Sequence, residues 1–227
     1  MTYAMQFEHD VFETAHGPLE IIFLGHGSLI FQVGESTVHV DPYSRVADYA
    51  QLPKADLILI THEHRDHLDP EALREIRTPS TRVLMAKVCE GLVDGGTVMR
   101  GGDVVAVLGL TIEAVPAYNL LHKREGGDPF HPCGDGNGYI LTIGEMRIYV
   151  AGDTENTPEM KQLRDLDIAF LPMNLPYTMT PGMVADAARA MKPKVLYPYH
   201  YGSTDPQQLV DLLANEPEIE VRIRKMA

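Results

Sequence analysis

The sequence predicts an α/β fold, and three observations carry that prediction. Continuous apolar runs such as Leu57-Ile58-Leu59-Ile60 read as buried strands. Capped helix starts follow several of them, as Asp69-Pro70 follows this one. The order of elements reads as two similar halves, each with hairpins and then a strand leading into a helix. Residues able to do chemistry gather at strand ends, where open α/β architectures place their ligands.

Taken in order, Leu19 to Leu24 is the first expected strand. It ends in Gly25-His26-Gly27-Ser28, a turn that can bring backbone close to a ligand. Leu29 to Val33 and Thr37 to Val40 form a hairpin turned at Gly34-Glu35-Ser36, and Asp41-Pro42 ends it. Leu57 to Ile60 leads through Thr61–His67 to a short helix, Pro70 to Ile76, with Asp69 as its N-cap. Arg82 to Ala86 is a strand, and Gly95-Gly96 and Gly101-Gly102 mark turns. Val104 to Leu108 and Leu110 to Val115 form a hairpin around Gly109, followed by Pro116-Ala117-Tyr118-Asn119. From Asn119 to Gly138 no periodicity appears, and loops of that length in compact domains are often functional. Gly138 to Ile143 and Arg147 to Ala151 are strands around a turn at Glu145-Met146, and the second ends at Gly152-Asp153-Thr154. A helix is expected from Thr157-Pro158, with Leu163 and Leu166 on one face. Asp167 to Leu171 is a strand, Pro172 to Thr180 a loop, and Pro181 to Met191 a helix of small residues. Lys194 to Tyr199 is a strand that runs into His200-Tyr201-Gly202. Asp205-Pro206 caps a helix to about Asn215, and Ile219 to Ile223 is the last strand.

A chain of 227 residues suits one domain, 1–227, with a sizeable core. No linker or low-complexity tract interrupts it. The net charge of −13 disfavours a nucleic-acid backbone as partner, since that surface must be cationic. Met1 to Glu20 carries acids and no apolar core of a leader, and no run approaches membrane-spanning length. The expectation is a cytoplasmic protein with no membrane partner. Two cysteines make no disulfide framework: Cys89 reads as core, and Cys133 either as a loop residue or, two positions after His131, as a metal contact. His9 and His16 read as surface residues and His39 as structural.

The chemistry concentrates in Thr61-His62-Glu63-His64-Arg65-Asp66-His67. In an extended stretch His62 and His64 project to one side and can grip one cation. Asp66 and His67 follow the turn and can reach a second. Imidazole and carboxylate suit zinc, and also manganese or iron.

These residues resemble the HxHxDH motif of the metallo-β-lactamase superfamily, and the chain is similar to that superfamily from end to end. Its local pattern is most similar to the L-ascorbate-6-phosphate lactonase-like branch of metal-dependent hydrolases. The resemblance implies a four-layer αββα sandwich, two mixed β-sheets with outer helices, and a dinuclear site at one edge. It implies that Asp153 bridges two divalent ions, that His200 is the last ligand, and that Asp41 orients a ligand histidine. His26 is expected beside the centre, touching a ligand or the substrate, or is a plain exposed turn histidine. Asn119 stands where a third histidine for the first ion is expected. His131, in Pro129-Phe130-His131-Pro132, is the candidate to fill that place, with His122 as the other nearby histidine. Tyr177 faces substrate or is packing. Lys123 and Arg124 meet an anionic substrate or are a solvated loop.

The implied function is hydrolysis of a small ester or lactone by hydroxide generated at two divalent ions, zinc first and Mn2+ or Fe2+ as alternatives. Asp66 is a ligand that could also take or deliver a proton. A phosphodiesterase acting on a small phosphodiester is the runner-up. A non-catalytic metal-binding or ligand-sensing protein on the same scaffold is the alternative from another class. A redox di-iron protein ranks last, because it would need a flavin partner. The partner is a small molecule; a homo-oligomer is compatible with the resemblance, and no residue argues for one.

Overall fold

Alternation along each strand decides which side of a sheet a residue faces. In the computed structural model, which describes residues 7–227, that alternation builds three apolar layers. Residues 1–6, the start of the stretch read above as leader-free, lie outside the described residues.

The first sheet holds β1 (Glu8–Thr14), β2 (Gly17–Gly25), β3 (Ser28–Val33), β4 (Ser36–Val40), β5 (Leu57–Ile60), β6 (Arg82–Ala86) and β7 (Thr97–Met99), adjacent in chain order. The second holds β8 (Val104–Val107), β9 (Leu110–Ala117), β10 (Gly136–Ile143), β11 (Met146–Val150), β12 (Ile168–Pro172), β13 (Val195–Tyr199) and β14 (Glu220–Val221), also in chain order. In each sheet the first four strands are antiparallel and the last three pairings are parallel. The two halves expected from the sequence are therefore two sheets built to one plan.

Leu19, Ile21 and Phe23 of β2, Leu57 and Leu59 of β5, and Phe170 and Tyr197 of the second sheet fill the space between the sheets. Ile22, Ile58 and Ile60 face the other way and pack under α1 (Pro70–Ile76) through Ala72, Leu73 and Ile76. On the outer face of the second sheet, Ala169 and Leu171 meet Val184, Ala185 and Ala188 of α2 (Pro181–Met191), and α3 (Gln207–Leu212) adds Leu209. This is the four-layer αββα arrangement. Among the described residues no helix is long and apolar enough to cross a membrane.

Several elements differ from expectation. The helix expected from Thr157 is one 3-10 turn, Met160–Gln162. Leu163 is already extended and Asp165 adopts φ 56, because the chain must turn at once to feed β12. β10 starts at Gly136, so the long loop is shorter than expected. Met146 belongs to β11, and β8 stops at Val107. α3 ends at Leu212 and β14 is two residues long. Two strands, β1 and β7, have no forecast.

β1 lacks a local sequence signal because its inward positions include Glu8 and Asp10, which break the apolar alternation. Those acids fasten it to the chain's end. Arg224 Nη2 donates to both oxygens of Asp10, at 2.7 and 2.8 Å, Tyr197 Oη donates to the same carboxylate, and the Lys225 N–H donates to Glu8. Burial pushes the Asp10 carboxyl up, but the hydrogen bonds from Arg224 and Tyr197 outweigh it and hold the pKa below 3.8. Asp10→Asn is expected to cost about 1.5–3 kcal/mol at pH 7. A depressed carboxyl contributes fully above its unfolded pKa and loses that contribution as pH falls through its folded value, so wild type and variant should draw together as pH falls. Urea unfolding at pH 7 and pH 3 checks both statements.

Candidate metal centre

All the strand-end motifs meet at one edge of the sandwich. β4 delivers Asp41, β5 delivers residues 61–67, β11 delivers Asp153, β13 delivers His200, and the β2–β3 turn delivers His26. Three of these residues, His26 (φ 54), Asp41 (φ 44) and His200 (φ 46), hold left-handed backbone, which costs energy outside glycine and is a mark of functional sites. Gly152 also has positive φ, and a Cβ there would lie 2.8 Å from the Asn137 carbonyl oxygen. Only glycine admits the sharp bend that turns Asp153 inward.

Donor atoms gather in two lobes. His62, His64 and His131 bring one ligand atom each within 4.8 Å of one another, and His26, Asp66, His67 and His200 do the same. Asp153 stands between the lobes. Its Oδ2 faces His131 Nε2 at 3.4 Å and His62 Nε2 at 4.0 Å. Its Oδ1 faces His67 Nε2 at 3.5 Å and His200 Nε2 at 3.6 Å. Nε2 of His67, His131 and His200 and Oδ1 of Asp153 are buried without a hydrogen-bond partner among the described residues. Such atoms cost roughly 1–3 kcal/mol each when left unpaired. Convergent imidazole and carboxylate donors in that state fit divalent cations.

Asp41 is fully buried and accepts from the Thr61 N–H at 2.8 Å, the Thr61 hydroxyl at 2.6 Å and His67 Nδ1–H at 2.8 Å. A carboxylate only accepts, so His67 carries its proton on Nδ1 and presents Nε2 to the cluster. Asn119 does not enter either lobe. Its Oδ1 lies 2.7 Å from the His131 N–H and 2.8 Å from His131 Nδ1. His200 Nδ1 lies 3.3 Å from the side-chain amide of Asn174. His26 Nε2 lies 2.9 Å from Asp66 Oδ2, and its ring sits 3.7 Å from that of His200.

The buried charges of the two lobes perturb one another strongly. Burial, then the neighbouring His67, hold His62 far below the usual imidazole range. Burial would lower His67 too, but the carboxylates of Asp153, Asp41 and Asp66 raise it to about 9. Asp66 and Asp153 are held well below the carboxylate range despite burial, by His200 first in each case. At neutral pH His67 thus carries an extra proton that a cation must displace. Metal affinity should rise with pH up to about 9 and then level off. Calorimetric titration at pH 7 in buffers of different ionisation enthalpy should find about one proton released at this histidine.

Some expected residues lie apart from the lobes. Tyr177 is exposed; its ring packs on Phe130 at 5.0 Å and its carbonyl accepts from Asn119. His122 turns to Glu155, at 2.8 Å. Cys133 is exposed and in neither lobe, while Cys89 is buried. Arg124 stacks over Phe130 at 5.1 Å. Glu155 and Asn174, which touch site residues, had no forecast. An acid two residues after Asp153 was the available signal for Glu155.

Comparison with known proteins gives a consistent result. Residues 20–200 match the family described as Beta-lactamase superfamily domain. A UPF0173 metal-dependent hydrolase from Thermococcus onnurineus is 30% identical over 218 residues, covering 88% of this chain and 95% of the relative. A crystal structure from Parabacteroides distasonis, solved under a provisional metal-dependent hydrolase name, is 47% identical. It superposes with a TM-score of 0.93 over 97% of this chain and 100% of its own. Igni18, a metallo hydrolase from Ignicoccus hospitalis, shares the fold with a TM-score of 0.73 at 21% identity, over 92% and 96% of the two chains.

Proposed function

Because the chain belongs to the metallo-β-lactamase superfamily and is a metal-dependent hydrolase, we propose that it hydrolyses a small ester or lactone at a dinuclear centre. His62, His64 and His131 would hold one divalent ion, Asp66, His67 and His200 the second, and Asp153 would be shared. The observation that carries this reading is the division of the Asp153 carboxylate, one oxygen toward each lobe. Zinc suits the donor set, and manganese or iron would also be accepted.

Bound cations at such a centre act as Lewis acids that acidify water and polarise a substrate oxygen. The chain's own residues do the rest. His67 is held in one orientation by Asp41, and Asp153 presents one oxygen to each lobe. Asp66 is ionised, and its Oδ2 is anchored by His26. A carboxylate in that place would be able to take a proton from water and return it to the leaving group.

A narrow recess lies beside the first lobe, lined by His62, His64 and His131 and by the chain around Phe130. Phe130, Ala117 and Pro132 form apolar wall, and among the described residues no lysine or arginine lines it. A phosphodiester would meet Glu63 and Asp135 there without a compensating cationic side chain, so a neutral ester or lactone is favoured.

The test is turnover by metal-loaded protein on short lactones, p-nitrophenyl acetate and bis(p-nitrophenyl) phosphate. Ester or lactone turnover should exceed phosphodiester turnover at least about tenfold, a gap of roughly 1.4 kcal/mol. Chelation should abolish it and zinc, manganese or iron restore it. A preference for the phosphodiester would overturn the substrate assignment.

A further inference from the structure

Glu155 is fully buried, two residues beyond Asp153, and lies in neither metal lobe. It accepts from the N–H groups of Leu120 at 2.8 Å, Leu121 at 2.7 Å and His122 at 2.7 Å. It also accepts from Asn119 Nδ2 at 3.2 Å. These bonds hold its carboxyl ionised against the burial that opposes it.

The bond to Asn119 settles which way that amide faces. Nδ2 points at two acceptors, the Glu155 carboxylate and the Tyr177 carbonyl at 2.9 Å. Oδ1 points at a donor, the backbone N–H of His131. Rotating the amide would set donor against donor and acceptor against acceptor, so the orientation is fixed. Oδ1 must accept, and the His131 Nδ1 lying 2.8 Å from it must carry hydrogen. His131 Nε2 is then the atom that faces Asp153, unpartnered and buried.

We infer that Glu155 is a positioning residue for the metal centre: through Asn119 it selects the His131 tautomer that leaves Nε2 open to a cation. Asn119, which stands where a ligand histidine is expected, carries that selection. The inference rests on the dinuclear reading above. Outer partners of this kind typically alter metal affinity 10–100-fold, about 1.4–2.7 kcal/mol.

The test is metal binding, read by competition with a chromophoric chelator, and by histidine ring 15N shifts in the metal-free protein. Glu155→Gln and Asn119→Ala should each weaken one ion at least tenfold and leave the other unchanged. Both should lose the Nδ1–H signature of His131. The double variant should be no weaker than the worse single one, since both act on one path. Asn119→Ala leaves Glu155 its three backbone bonds, so it decides the question if Glu155→Gln fails to fold. Wild-type affinity for both ions in Asn119→Ala, or equal loss of both, would overturn the inference. A wild-type protein that never takes two ions would instead sink the dinuclear reading on which it rests.

Discussion

Asp153→Ala is expected to leave the chain folded and its hydrolytic activity at least about a thousandfold lower, a loss of roughly 4 kcal/mol in transition-state stabilisation. The carboxylate faces both lobes, so its removal withdraws a ligand from each at once. It also removes the charge that opposes proton loss at His67. Its Oδ1 has no hydrogen-bond partner among the described residues, so the substitution strands no hydrogen-bond donor there. Circular dichroism would report the fold, and mass spectrometry should find metal lost from both lobes. An Asp153→Ala protein with two tightly held ions would contradict the shared-carboxylate arrangement.

Asp41→Ala should act through stability. The side chain is fully buried and satisfies three donors, the Thr61 N–H, the Thr61 hydroxyl and His67 Nδ1–H. Its loss leaves those donors buried and unpaired, at roughly 1–3 kcal/mol each. The total, about 3–9 kcal/mol, is comparable with the whole stability of an ordinary domain, about 5–15 kcal/mol. The variant should unfold at much lower urea concentration, and zinc should recover only part of the deficit, since ligand linkage adds stability only as the logarithm of one plus the ratio of zinc concentration to Kd. A midpoint within error of wild type would show that Asp41 carries no such burden.

The sequence made the centre legible where one residue's chemistry and its strand-end setting coincide. Thr61–His67, Asp153 and His200 each follow an apolar strand, and the structure brings them together. Fold class was legible for the same reason: the strands that meet between the sheets are apolar on both faces or alternate cleanly. Illegible parts depend on distant partners. β1 exists because Asp10 finds Arg224 at the far end of the chain, and nothing local announces that pairing. The helix expected after Thr157 has a good cap and a proline start, yet the short path to β12 overrides propensity. Asn119 meets His131 twelve residues on and Glu155 thirty-six residues on, contacts that only the folded chain creates.

The measurement that bears most directly on the two-lobe centre is metal content per chain. It requires protein without a His-tag, purified without chelator, for wild type and His131→Ala. Two ions are expected in the wild type, and in the variant loss or weakening of one ion with the other retained. One ion or none in the wild type after reloading with zinc, manganese or iron would contradict the dinuclear centre. Two equally tight ions in His131→Ala would remove His131 from it.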